Sequence, residues 1–163
     1  MFLKEETYKG INELLTLTFQ GNSHADNCAY WLDSKYLLET AKEFHEKYAH
    51  QFPVWADEIS NFLRDMGARP TRGALEANER EYEDIGEMFT DVKEFFIAYR
   101  EKIKAIAEIA EIQEDIEAKS FLDNYLVKLI PYLRQVSIWE IKANLMKNDL
   151  IGFDDSFEDF MNI

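Results

Sequence analysis

One cysteine, three prolines and six glycines are all that these 163 residues contain of those types. Cys28 has no second cysteine to join, so an intrachain disulfide is excluded, as suits a reducing compartment. Glycine and proline punctuate turns, and with so few of them, and no sustained period-two alternation, strands find little support. No apolar run approaches the ~20 residues that span a bilayer, and Met1 to Glu6 hold no secretory core. Basic residues are also scarce: 18 Lys and Arg stand against 32 Asp and Glu, a net charge of −14. That balance disfavours a nucleic-acid surface spread over the whole molecule, because such affinity comes from cations that neutralise phosphates. An acidic, soluble, cytoplasmic protein is expected. Its 47% hydrophobic and 14% aromatic content suffices for one packed domain over residues 1–163.

What the chain does have is helical periodicity. Leu37, Ala41, Phe44, Tyr48, Phe52, Trp55, Ile59, Phe62 and Met66 recur at steps of three and four, one apolar stripe on a helix of ~45 Å. Gly67-Ala68-Arg69-Pro70 supplies its stop. A second stripe runs from Val92 through Phe96, Tyr99 and Ile103 to Ala110, with Thr90 placed to cap it. A third, from Phe121 to Ala143, follows the acidic stretch Glu111 to Glu117. Ahead of these, Ile11, Leu14, Leu15 and Phe19 continue through Ala25, Cys28, Ala29 and Leu32, read as one helix with a weak point at Gly21. Tyr82, Ile85, Met88 and Phe89 suggest a short helix in the connection between the second and third long ones. Pro53 and Pro131 fall inside helices, depriving the carbonyls of Ala49 and Val127 of a ladder bond and bending the chain there. The expected fold class is all-α: a ferritin-like four-helix bundle with a short extra helix in the middle crossover. Residues 1–9 read as a short extension and 147–163 as an acidic, aromatic tail.

Bundles of this type that oxidise iron carry Glu-x-x-His on each of two helices, since a step of three aims both ligands at one metal pair. Here the histidines are His24, His45 and His50, preceded at that distance by Gly21, Lys42 and Lys47. An intrachain site of that kind is excluded, and His45 and His50 read as solvated positions on a charged face. Phosphate-binding glycine loops, zinc-spaced cysteines and nucleophile elbows are also missing.

Trp31, Leu38, the run Asp57-Glu58-Ile59, the turn Gly67-Ala68-Arg69-Pro70, and later Tyr99, Glu114-Asp115 and Trp139 together resemble the Dps family of mini-ferritins. The resemblance covers roughly residues 10 to 146. It implies a homo-oligomeric shell of twelve that stores iron and protects the cell and its DNA from oxidative damage. In that family the ferroxidase centre lies across a two-fold interface between subunits. Its two histidines fall here on Tyr30 and Lys42, its aspartate on Glu46, its bridging aspartate on Asp57 and its glutamate on Asn61. An ammonium group has no lone pair and repels a cation, so Lys42 is the most damaging replacement. The expectation is a salt bridge from Lys42 to Asp57 or Glu46 across the interface, with Asp57 and Glu46 as the residual metal positions. A displaced, weaker site recruiting His45 is the alternative. Whether the chain is a ferroxidase is left open.

The resemblance also places acidic pores at Glu114, Asp115 and Asp123, the alternative being a solvated helix end. DNA contact, and with it association with the nucleoid, would rest on Lys4, Lys9, Arg69 and Arg72, near Arg64 and Arg80. Phe153, Phe157 and Phe160 recur at steps of four and three in the tail, so one aromatic face there is expected to pack on its own or a neighbouring subunit. Two further readings stand beside iron storage: a non-enzymatic, DNA-shielding homologue, and a helical interaction protein that docks through this tail.

Overall fold

A computed structural model describes residues 1–163. Every element is helical: α1 (Glu5–Ser34), α2 (Leu38–Phe44), a π turn (His45–Ala49), α3 (Gln51–Asp65), α4 (Ile85–Ile112), α5 (Ile116–Lys128), α6 (Ile130–Leu145), α7 (Leu150–Ser156) and a closing 3-10 turn (Phe157–Phe160). Four long rods result: α1, α2 continued by α3, α4, and α5 continued by α6. α1 packs on α3 and α4, and α4 packs on α5 and α6, around a core of 40 buried hydrophobic residues. The expected ferritin-like four-helix bundle with one short extra helix is thus present.

The extra helix stands elsewhere than expected. Residues 68–84 of the crossover form no helix, and the short one is α7, at the C-terminus. Ile85, Met88 and Phe89 are the first turns of α4 itself, continuing the stripe that resumes at Val92. Asp84 caps that helix, its carboxylate accepting the Glu87 N–H at 2.9 Å, while Thr90 lies inside the helix and is not its cap.

A crossover of this length without helix must settle its backbone polar groups by other means. α1 supplies the partners from one polar stripe. Tyr8 donates to the Arg69 carbonyl (2.8 Å), and Asn12 and Thr16 accept the N–H groups of Thr71 (2.7 Å) and Gly73 (2.8 Å). Gln20 both accepts from and donates to the backbone of Glu76, and Asn27 donates to the Arg80 carbonyl at 3.2 Å. The spacing 8, 12, 16, 20, 27 is that of one helix face, so the chain lies along α1 as an extended strap.

α1 is one helix through Gly21, as expected, but glycine serves a purpose there. A Cβ at that position would stand 2.6 Å from Phe52 Cδ1, so its absence lets α1 and α3 approach closely. α1 also starts at Glu5, inside the stretch read as an extension, and Phe2 N–H is tied to the Met66 carbonyl at 2.8 Å. The tail folds back as expected of its aromatic spacing. Phe153 and Phe157 are fully buried against Phe89, and Phe157 stacks on Trp139. Asp154 secures it, accepting from Thr40 N–H (2.8 Å) and Thr40 Oγ1 (2.7 Å) at the start of α2.

Candidate functional site

The middle of the bundle is where inward-facing ligands of a di-iron centre would meet. Thr18 of α1, Phe52 and Trp55 of α3, Tyr99 of α4 and Tyr125 of α5 meet there instead, all buried. Phe52 and Trp55 occupy a step of three on their helix, with ring centroids 5.7 and 6.1 Å from that of Tyr99. Thr18 gives its proton to the Leu14 carbonyl (2.8 Å), so Tyr99 donates to Thr18 (2.7 Å) and Tyr125 donates to Tyr99 (2.7 Å). Burial pushes the Tyr99 and Tyr125 hydroxyls above the usual range, which keeps them neutral. Carboxylates and imidazoles are absent from this set. A di-iron centre of the Glu-x-x-His type does not fit here, in agreement with the absence of that motif from the sequence.

The residues mapped onto an inter-subunit centre lie on the outside. Tyr30 and Lys42 line one shallow groove with Ala29, Asp33, Leu38, Ala41 and His45. Tyr30 is 65% exposed, and Lys42 and Glu46 are exposed beside it on α2 and the π turn. Asp57 and Asn61 sit on the exposed face of α3, and Asn61 accepts a hydrogen bond from Arg64. Asp57 is 15 residues beyond Lys42, ~22 Å along the rod, so one chain does not bring the two together. His45 is not simply solvated: its Nε2 is 3.3 Å from Asp26 Oδ1, and its ring meets that of exposed His50 edge to face at 4.4 Å.

The acidic turn between α4 and α5 separates into different duties. Asp115 is buried, and both its oxygens accept the Lys4 N–H (3.3 and 3.1 Å), holding the start of α1. Glu114 is exposed with φ 59°, a left-handed residue that turns the chain. Asp123, on α5, pairs with Lys119 at 2.6 Å. Of the basic residues, Lys4 and Lys9 are exposed at the start of α1, and the Arg69 carbonyl is fixed by Tyr8. Arg72 lies over the Phe19 ring at 4.8 Å. Arg80 pairs with Glu87 (3.1 Å) and Asp91 (2.9 Å).

That last pair leads to the one cluster of metal-ligating side chains, which the sequence reading did not find. Asp91 of α4 accepts from His24 Nε2 (2.8 Å) and Tyr82 Oη (2.5 Å) through Oδ2, and from Arg80 through Oδ1. Since Tyr82 has given its proton to Asp91, the Cys28 thiol donates to Tyr82 Oη at 3.5 Å. Ligand atoms of His24, Cys28 and Asp91 all lie within 4.8 Å of one another. Burial pushes the thiol up to about 12. Burial also pushes the Asp91 carboxyl up, but the hydrogen bonds from His24 and Tyr82 and the charge of Arg80 outweigh it and hold the group below the usual carboxylate range. His24 and Cys28 stand four apart on α1, the one part of the cluster that sequence spacing exposes.

Compared with known proteins, the chain matches the ferritin family's ferritin-like domain over residues 8–140. It belongs to the ferritin family. The bacterial non-heme ferritins of Escherichia coli O157:H7 and Shigella flexneri are each 23% identical to it over 124 residues, 76% of this chain and 74% of theirs. An open pore ferritin from Archaeoglobus fulgidus superposes with a TM-score of 0.88 at 18% identity, covering 94% of both chains. A Chlorobium tepidum ferritin does so at 0.85 and 16%, covering 96% of this chain and 98% of its own. The ferritin fold is shared throughout. No helix of the chain is long and apolar enough to cross a membrane.

Proposed function

We propose that this ferritin-family chain assembles with copies of itself into a shell that stores iron, without an oxidation centre inside each bundle. Membership of the family across residues 8–140 carries the reading. Assembly is supported by large apolar residues left outside: Tyr36, Ile112, Ile116, Leu145 and Ile151 are each more than three-quarters exposed. Iron is the cargo. A net charge of −14 per chain, repeated around a shell, concentrates cations near its inner surface and openings. The aromatic and hydroxyl set at Thr18, Phe52, Trp55, Tyr99 and Tyr125 leaves ferric oxide growth to surface carboxylates.

The narrower form of the reading is a Dps-like shell of twelve whose inter-subunit centre is altered. It is supported by Tyr30 and Lys42 sharing one exposed groove and by Asp57 lying exposed on α3. In such a shell Lys42 pairs with Asp57 or Glu46 of a neighbouring copy where the family binds metal. Glu114 and Asp123 would line pores, and Lys4, Lys9, Arg69 and Arg72 would carry any DNA contact.

Aerobic loading with Fe(II) followed by size exclusion tests the proposal. Iron that co-migrates with a large assembly is expected. A small, iron-free species would overturn it. Static light scattering then distinguishes twelve subunits from another number, and gel shifts at two salt concentrations read DNA contact.

A further inference from the structure

We propose that His24, Cys28 and Asp91, with the Tyr82 hydroxyl beside them, bind one borderline divalent cation of the Zn(II) or Co(II) class, at a site separate from stored iron. α1 sets His24 and Cys28 one helical turn apart on the same face, α4 brings Asp91, and the strap brings Tyr82. The donors are imidazole nitrogen, thiolate sulfur and carboxylate oxygen, a set that suits Zn(II) or Co(II) and not Mg(II) or Ca(II).

One group of the cluster lacks the partners that burial demands. The fully buried Cys28 thiol has Tyr82 Oη as its sole hydrogen-bond partner, at 3.5 Å. A cation that takes an electron pair from the thiolate answers this deficit, with His24 Nε2 and Asp91 Oδ2 beside it as further donors.

The surroundings are those of a metal site. Arg80 holds Asp91 Oδ1 at 2.9 Å and thereby turns Oδ2 toward His24 and Cys28. Phe95 stacks on the His24 ring at 4.7 Å and fixes its plane. Such outer groups orient ligands in known sites. Charge also balances: a divalent cation and Arg80 sum to plus three, against Cys28 thiolate, Asp91 and Glu87 at minus three. Zn–N near 2.0 Å and Zn–S near 2.3 Å imply donor separations of about 3.5 Å. The pair at 2.8 Å opens by under an ångström, and the widest, 4.8 Å at most, closes by about one. The Asp91 side chain keeps 16% exposure, which gives the ion a way in.

Titrating Co(II) into the assembled, iron-free protein tests this. Because Cys28 is the chain's one cysteine, a thiolate-to-cobalt charge-transfer band has a single possible origin. The band is expected to saturate at one cobalt per chain and to bleach on addition of Zn(II). It should vanish in Cys28→Ser, and Asp91→Asn should weaken binding by at least about 10-fold. No band in the wild-type protein overturns the site, whatever the variants do. So does a band that Zn(II) leaves unchanged. The readout is independent of iron loading, so failure here and failure of the storage reading are separate results.

Discussion

Asn22 donates a hydrogen bond of 3.1 Å to the carbonyl oxygen of Ala49. This is the oxygen that the missing N–H of Pro53 cannot reach. Just before it the rod widens into the π turn His45–Ala49, where His50 N–H reaches back to the His45 carbonyl at 3.1 Å. α1 therefore repairs a break in the neighbouring rod. Asn22→Ala is expected to cost about 1 kcal/mol in denaturant unfolding. Its cost should shrink in a Pro53→Ala background, where the ladder bond becomes available again.

Gly21 and Phe52 are paired by shape. A methyl group added at Gly21 gains about 1 kcal/mol of helix propensity. It also meets the Phe52 ring inside van der Waals distance. Overpacking should win, so Gly21→Ala is expected to lower stability by about 1–3 kcal/mol. Adding Phe52→Leu should recover part of that loss, as measured by thermal or chemical unfolding.

The sequence resemblance places Asp115 and Asp123 in one pore, but buried Asp115 holds the start of α1 while exposed Asp123 is free to line an opening. Asp115→Asn weakens the hold on Lys4 N–H and should cost about 1 kcal/mol, with faster amide exchange in the first turn of α1. Asp123→Asn removes an exposed pair with Lys119 and should leave stability within about 0.5 kcal/mol. Slower iron uptake in Asp123→Asn with unchanged stability supports the pore. Unchanged uptake counts against it.

Tyr48, Tyr99 and Tyr125 have hydroxyls raised above the ordinary range, burial being the main cause. In the unfolded chain such groups ionise near pH 10. Above that pH the unfolded state sheds protons that the folded state keeps, so stability is full below about pH 10 and falls as the pH rises beyond it. Phenolate absorbance should show these three tyrosines ionising only together with loss of helical circular dichroism. Tyr99→Phe leaves the Tyr125 hydroxyl without its acceptor and removes the donor to Thr18 Oγ1, and should cost about 1–3 kcal/mol at neutral pH.

Much of the fold is legible along the chain, because the stripes at steps of three and four lie within single helices. The stripe from Leu37 to Met66 marks the second rod, and the tail's aromatic spacing marks α7 with its closing turn. The crossover helix misleads for a local reason. Tyr82, Ile85, Met88 and Phe89 have helical spacing because most of them open α4, and Asp84 with Glu87 three residues on was the capping signal that set the boundary. The polar stripe on α1 that holds the strap, and the fit of Gly21 to Phe52, depend on what packs alongside. No Glu-x-x-His occurs anywhere in the sequence, but that Thr18, Phe52, Trp55, Tyr99 and Tyr125 meet at the bundle centre depends on how four rods pack. The His24, Cys28 and Asp91 cluster was not legible either. Its third ligand lies 63 residues beyond Cys28, and only the bundle topology brings it close.

The central claim is a ferritin-family storage chain whose bundle interior is built of aromatic and hydroxyl groups and oxidises no iron. Stopped-flow absorbance after mixing the iron-free assembly with Fe(II) in aerated buffer tests it most directly. The account predicts no rapid phase saturating at about two iron ions per chain, the capacity of a di-iron centre. It predicts only slow oxidation that grows with iron already deposited. A fast, saturable phase of that stoichiometry, lost when Tyr99 or Trp55 is altered, would contradict it.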